Sequence, residues 1–239
     1  MSATITIGNR YAKHMTEVMS DRGISDKNFT YGEVSAMEEM QIENMSDQDL
    51  LYVVVEGADI TLEKILFIEK ISCICKAFVI GVCIGAFPSS EYEYEHRFES
   101  ATKAFYFPAR KRIHNKIAIF AQMLQKALMP GNNMGFDING LRACMNGKTN
   151  SLWYGKSFGK RKGHDMAYHF LTSDWYSSIP FHGGGNMVVI VNGDTTVYDV
   201  DNAVCLINRL MSAGSQMIIS VVYDETMFDE MGMLVIGSQ

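Results

Sequence analysis

Proline is scarce, with four residues in 239, and the 20 glycines follow no period, which excludes collagen-like and proline-rich scaffolds. No CxxC pair occurs. The five cysteines, Cys73, Cys75, Cys83, Cys144 and Cys205, are odd in number and mostly set among apolar residues, so a disulfide framework is not expected and a reducing compartment is. Cys73 and Cys75 have no second pair to complete a zinc site, and no metal is expected. The first residues, MSATITIGNRYAKHM, lack the apolar core of a secretory signal. The most apolar run, residues 65–87, carries Glu69, Lys70 and Lys76, charges that a bilayer helix would bury at a cost of several kcal/mol. A cytoplasmic protein with no membrane association is the expectation. Cations are also in deficit, 21 against 27 acids for a net charge of −6, so nucleic-acid binding is not expected. What is present is a core-forming balance, 47% hydrophobic and 20% charged.

Residues 3–8 (ATITIG) alternate as a strand does, and residues 9–22 follow with Tyr11, Met15 and Val18 on one helical face. From Glu33 to Glu63 there are nine carboxylates and no Lys or Arg, a solvated face or else an acidic docking surface. Residues 50–55 (LLYVVV) form a wholly apolar strand of the type found in a parallel sheet covered on both faces. Helical spacing over 61–76 and a second apolar strand over 77–87 complete a βαβ unit. A charged helix over 91–102, a strand over 104–107 and an apolar helix over 117–129 follow, the last ended by Pro130 and Gly131. The turn 130–135 (PGNNMG) marks a domain boundary. Beyond it the pattern predicts a helix over 136–145, a strand over 151–159 and a helix over 164–175. A glycine-rich interdomain turn over 182–186 leads to a strand over 187–192, a helix over 200–211 and strands over 216–223 and 231–237.

The C-terminal region joins a strand ending in Asn192-Gly193-Asp194, a helix, an apolar strand ending in Asp224-Glu225, and a last strand opened by Asp229-Glu230. In this order and spacing it resembles the C-terminal domain of FtsZ, the tubulin-like division protein. The helix 117–129, the Pro130-Gly131 stop, and Asp137, Leu141, Arg142 and Met145 are similar to the family's central helix and the segment after it. Ile7-Gly8-Asn9 with His14-Met15 echoes its first strand, glycine loop and helix, and residues 50–87 echo its strand, phosphate loop, helix and strand. The resemblance implies an α/β fold made of a shortened tubulin/FtsZ-like nucleotide-fold half (1–116), a central helix and turn (117–133) and a C-terminal α+β half (134–239).

The sequence departs from the family where nucleotide chemistry is expected. Members cradle GTP phosphates with a loop of the form GGGTGTG, whose glycines let backbone N–H groups converge on phosphate. Here the loop reads Glu56, Gly57, Ala58, Asp59, Ile60, Thr61, with one glycine and two acids. At about 4 Å a carboxylate repels a phosphate charge by about 1 kcal/mol even in water. The first glycine loop is reduced to Gly8 and Asn9. Glu93 and Arg97 have the spacing of a family pair that touches nucleotide, and also that of an i,i+4 ion pair. Of the two acids with which the family's synergy loop completes a neighbour's GTPase site, Asp137 matches the first, Gly140 replaces the second, and Gly135 stands where that loop has asparagine. Asp137 also suits the N-cap of the helix it precedes. No catalytic residue and no cofactor are expected, with GTP or GDP the one candidate.

Neither Gly147-Lys148-Thr149 nor Gly159-Lys160 completes a Walker A motif, because Arg142 occupies the first glycine position of one and Arg161 follows the lysine of the other. Arg110, Lys111, Arg112 and Lys116 form one basic patch, and Lys156, Lys160, Arg161 and Lys162 another. With Tyr106, Phe107 and Phe158 nearby these read as solvated faces or surfaces for an acidic protein, or else as a nucleic-acid groove. His164 and His169 stand i,i+5, off the spacing that aligns two metal ligands. The 17 methionines read as core filler, a minority of them suited to an adaptable partner surface. The resemblance thus implies a non-enzymatic interaction protein that docks on FtsZ or tubulin-like subunits and modulates division or filament assembly. The alternatives are a nucleotide-independent self-assembling protein and a residual GTPase. The chain stops just after the last strand, without the family's adaptor-binding tail, so anchoring through the usual membrane adaptors is not expected.

Overall fold

The computed structural model describes residues 2–8, 12–24, 27–31, 33, 50–88, 92–129, 136–146, 150–174, 186–211 and 213–238. The chain divides into two compact units, Met1–Gln125 and Lys126–Gln239.

The first unit is built on a five-stranded parallel sheet of β1 (Ser2–Ile7), β2 (Lys27–Thr30), β3 (Leu50–Glu56), β4 (Phe78–Ile84) and β5 (Lys103–Phe107). Its strand order is β2-β1-β3-β4-β5, every neighbouring pair parallel. Strands β1, β3 and β4 are buried along their whole length, as strands covered on both faces must be. In β1 this buries hydroxyls too; Ser2 donates to the Ile24 carbonyl, and Thr6 donates to that of Phe29 at 3.4 Å. Four helices of this unit lie among the described residues: α1 (Ala12–Asp21), α2 (Leu62–Ile74), α3 (Tyr92–Ala101) and α4 (Ile113–Leu128), the last of which runs into the second unit. Helix α2 buries Ile65, Ile68 and Ile71 at helical spacing. Gly81 lies where α3 presses on β4, since a Cβ there would come 2.6 Å from the Phe98 ring. Fully buried Tyr52 donates to the Ala121 carbonyl of α4 at 3.3 Å, and burial raises its pKa above the usual phenol range.

The second unit carries helix α5 (Ile138–Cys144) and a four-stranded mixed sheet in the order β6-β9-β7-β8. Strands β6 (Asn150–Phe158) and β7 (Asn186–Gly193) flank β9 (Glu230–Ser238) antiparallel, and β8 (Met217–Tyr223) adds parallel to β7. Helices α6 (Lys162–Leu171) and α7 (Val197–Leu210) pack Met166, Phe170, Ala203 and Ile207 into one core with Val189, Met233 and Val235 of the sheet. They approach closely because residue 163 is glycine; a Cβ there would fall on the Asp199 backbone carbonyl. No described helix is long and apolar enough to cross a membrane, and all five cysteines are free thiols.

The α/β architecture expected from the sequence is present, with differences at element ends. Strand β2, KNFT, went unpredicted because four residues with one large apolar side chain give no periodic signal, yet it pairs with β1 from Ala3↔Lys27 to Thr6↔Thr30. Helix α4 starts at Ile113 rather than 117, just after Arg112 at φ 66°, and α6 starts at Lys162 rather than 164. Helix α7 starts at Val197 rather than 200, because Thr196 and Asp199 form a reciprocal capping box. The acidic run over 34–49, Asn9, the turn 130–135 and most of the turn 182–186 lie outside the described residues.

Candidate functional site: the strand ends of the parallel sheet

In an open parallel sheet, ligands bind beyond the carboxyl ends of the strands, where the strand order reverses. Here that point lies between β1 and β3. Gly8 follows β1 with φ 148°, and Glu56 ends β3. The Glu56 side chain, only 8% exposed, lies directly over Gly8; a Cβ on Gly8 would meet its Oε1 at 2.6 Å. The space between the two loops is therefore filled by a carboxylate of the chain itself.

After Glu56, residues Gly57, Ala58 and Asp59 form one turn of 3₁₀ helix. Gly57 is the one glycine left in this loop, and packing accounts for it: a Cβ there would come 2.6 Å from the Ala86 carbonyl oxygen in the loop after β4. The buried Cys83 thiol donates to the Gly85 carbonyl at 3.5 Å, and desolvation pushes its pKa up to about 12. The Lys64 ammonium donates to the Asp59 backbone carbonyl at 2.5 Å. Thr61 is the N-cap of α2, its hydroxyl accepting from the Lys64 N–H at 3.4 Å, and Glu63 adds a carboxylate in the first turn. Thr61 thus already caps one N–H at the end of α2 that a phosphate would occupy, and Glu63 sets a like charge in the same turn.

Arg97 does not reach this loop in the described contacts. Its guanidinium grips Glu69 of α2 with two bonds, Nε donating to Oε1 at 2.7 Å and Nη2 to Oε2 at 2.6 Å. Glu93 stands 4.0 Å from Nη1, so the i,i+4 pair forms but is the longer of the two. The hydrogen bonds from Arg97 hold the Glu69 carboxyl below its usual range, and the fork ties α2 to α3. The closer partner is 28 residues away in sequence, where no spacing rule could find it. Glu93 itself is exposed in the first turn of α3.

In the second unit, Asp137 is the N-cap of α5, its carboxylate accepting from the Gly140 N–H at 2.7 Å. The second basic patch divides. Lys156 pairs with Glu230, and Lys162, its side chain 8% exposed, pairs with Asp229 at 3.3 Å. Lys160 and Arg161 instead border a cleft with His164, Tyr198, Asp199 and Asn202. The first patch, Arg110, Lys111, Arg112 and Lys116, is exposed. Among the described residues no three His, Cys, Asp or Glu side chains group as metal ligands do.

No protein-family model matches the sequence, and no curated protein sequence does either. Solved structures match along the whole chain. A single-site mutant of FtsZ from M. jannaschii superposes with a TM-score of 0.73 at 14% identity, covering 100% of this chain and 91% of that one. CetZ1 from Haloferax volcanii, solved as a GDP-bound monomer, gives 0.68 at 9% identity over 99% and 93% of the two chains. CetZ2 from the same organism, solved as a GTPγS-bound protofilament, gives 0.59 at 12% identity over 99% and 92%. Over its full length this chain has the fold of FtsZ and CetZ.

Proposed function

We propose that this protein is a non-hydrolysing protein of the FtsZ/CetZ fold that acts by contact, docking on FtsZ- or tubulin-like subunits and modulating their assembly in cell division. The carrying observation is the Glu56 carboxylate seated over Gly8 at the strand switch point. Solved neighbours with this fold bear GDP or GTPγS; in this chain one acid fills the gap between β1 and β3, and Thr61 and Glu63 occupy the start of α2. A triphosphate entering there meets like charge, costing about 1 kcal/mol for each close pair even in water. Asp137, spent as the cap of α5, and Gly140, without a side chain, leave the synergy segment no free carboxylate with which to position a water.

A second reading is assembly of this chain with itself, independent of nucleotide. It is favoured by the protofilament state of the CetZ2 neighbour, which shares the fold over nearly all of both chains.

Sedimentation of FtsZ with GTP, with and without this protein, tests the proposal alongside this protein alone. A changed FtsZ pellet or co-sedimentation supports docking, whereas pelleting alone without nucleotide supports self-assembly. Phosphate release from GTP by the protein alone overturns the non-hydrolysing reading, and copurifying guanine nucleotide overturns the exclusion of nucleotide by Glu56.

A further inference from the structure

We infer that the cleft between the starts of α6 and α7 is a phosphate-binding site, taking a phosphate dianion either free or as the monoester of a larger molecule. It belongs to the second unit and is independent of the loop 56–61, so its failure leaves the proposed function untouched.

The first ground is the disposition of charge. Around this end of the second sheet the lysines are matched to acids: Lys126 to Asp224 at 2.9 Å, Lys156 to Glu230, and Lys162 to Asp229 at 3.3 Å. Lys160 and Arg161 have no carboxylate partner among the described residues, and both border one cleft of about 120 Å³. Cations placed together without counter-charge attract an anion, and a guanidinium beside an ammonium suits the tetrahedral oxygens of phosphate.

The second ground is what happens to the cleft's own acid. Asp199 borders the same space, but its carboxylate is held by Thr196, whose N–H donates at 3.0 Å and whose hydroxyl donates at 2.7 Å. It is 7% exposed and keeps its single negative charge, which the two cations Lys160 and Arg161 on the same cleft outweigh. Asp165 is the other nearby acid; its Oδ1 lies 3.7 Å from His164 Nδ1. Arg161 Nη2 lies 3.2 Å from that same His164 nitrogen; with Arg161 donating, the ring's remaining N–H is left for a ligand. The Asn202 amide and the exposed Tyr198 hydroxyl complete a neutral polar wall.

Size fixes the ligand class. Sites for whole cofactors or drug-sized ligands run to about 300–1,000 Å³. A cleft of about 120 Å³ accepts one phosphoryl group and leaves the rest of a larger molecule outside.

Calorimetric titration of the full-length protein with inorganic phosphate, at constant ionic strength in chloride, tests the assignment. Saturable binding is expected, weakened about tenfold by Arg161→Gln and a few-fold by Lys160→Gln. Arg209→Gln, which removes the same charge from the far end of α7, is expected to leave it unchanged. Circular dichroism checks the fold of each variant, and two cleft variants keep the test decisive if one fails to fold. Phosphoserine and AMP are titrated in parallel: tighter binding than inorganic phosphate assigns a monoester, and equal or weaker binding assigns the free ion. Absence of saturable binding, or equal weakening by Arg209→Gln, overturns the inference.

Discussion

The loop 56–61 of the first unit and the cleft beside Lys160 and Arg161 in the second stand at comparable places, each where a strand hands over to a helix, yet they hold opposite charge. At the loop, carboxylates crowd in and the neighbouring cations are spent: Lys64 on the Asp59 carbonyl, Arg97 on Glu69. At the cleft, the one lining carboxylate is tied into a capping box, and the two cations have no carboxylate partner among the described residues. A fold shared with structures solved bearing GDP or GTPγS does not fix where anions are welcome. That depends on which side chains have been committed to structure.

The contrast can be broken most severely at Gly163. Gly163→Ala forces α6 off the Asp199 carbonyl; overpacking of this kind costs about 1–3 kcal/mol, so a lower urea midpoint and loss of phosphate binding are expected. If both stay at wild-type values, the close approach of α6 to α7 does not shape the cleft. The converse change sharpens the comparison. Glu56→Ala clears the space over Gly8 and removes about 1 kcal/mol of repulsion, so a fluorescent GTP analogue is expected to bind about fivefold tighter; an unchanged affinity means that Glu56 is not what excludes phosphate.

Caps give a graded effect. Asp137→Ala should cost about 1 kcal/mol in urea denaturation, and Thr61→Ala less, since the Asp137 bond is 2.7 Å and that of Thr61 3.4 Å. Equal costs would show that bond length does not rank these caps. The smallest effect is in pH. Hydrogen bonds from Thr226 and Lys126 hold the Asp224 carboxyl below its usual range. A carboxyl depressed in the folded state contributes stability above its unfolded pKa of about 4 and loses it as pH falls through the folded value. Between pH 5 and pH 3 the wild-type urea midpoint should therefore fall further than that of Asp224→Asn, and parallel curves would remove Asp224 from the account.

Much of the fold was legible because its central strands β3 and β4 are apolar almost throughout. Residues 50–55 and 77–87 have few places to go except a sheet covered on both faces, and β3 and β4 lie there. Helix starts were read less well. The capping box at Thr196 and Asp199 was visible as T-x-x-D, but the apolar period begins three residues later and masked it. The charge pattern of the loop 56–61 was legible too, since one glycine and two acids stand in sequence order. The cleft was not: Lys156, Lys160, Arg161 and Lys162 read as a single basic patch, because an acid's distance in space is independent of its distance along the chain.

The sequence by itself determined the alternation of strands and helices and the acidic character of the loop after β3, both of which depend on neighbours a few residues apart. Tertiary structure decided that Glu56 rests on Gly8, that Arg97 belongs to Glu69 and that Lys162 is consumed by Asp229 while Lys160 is not. Those outcomes pair residues 28 to 67 positions apart, and a side chain's charge is felt only by what folding brings within a few ångström.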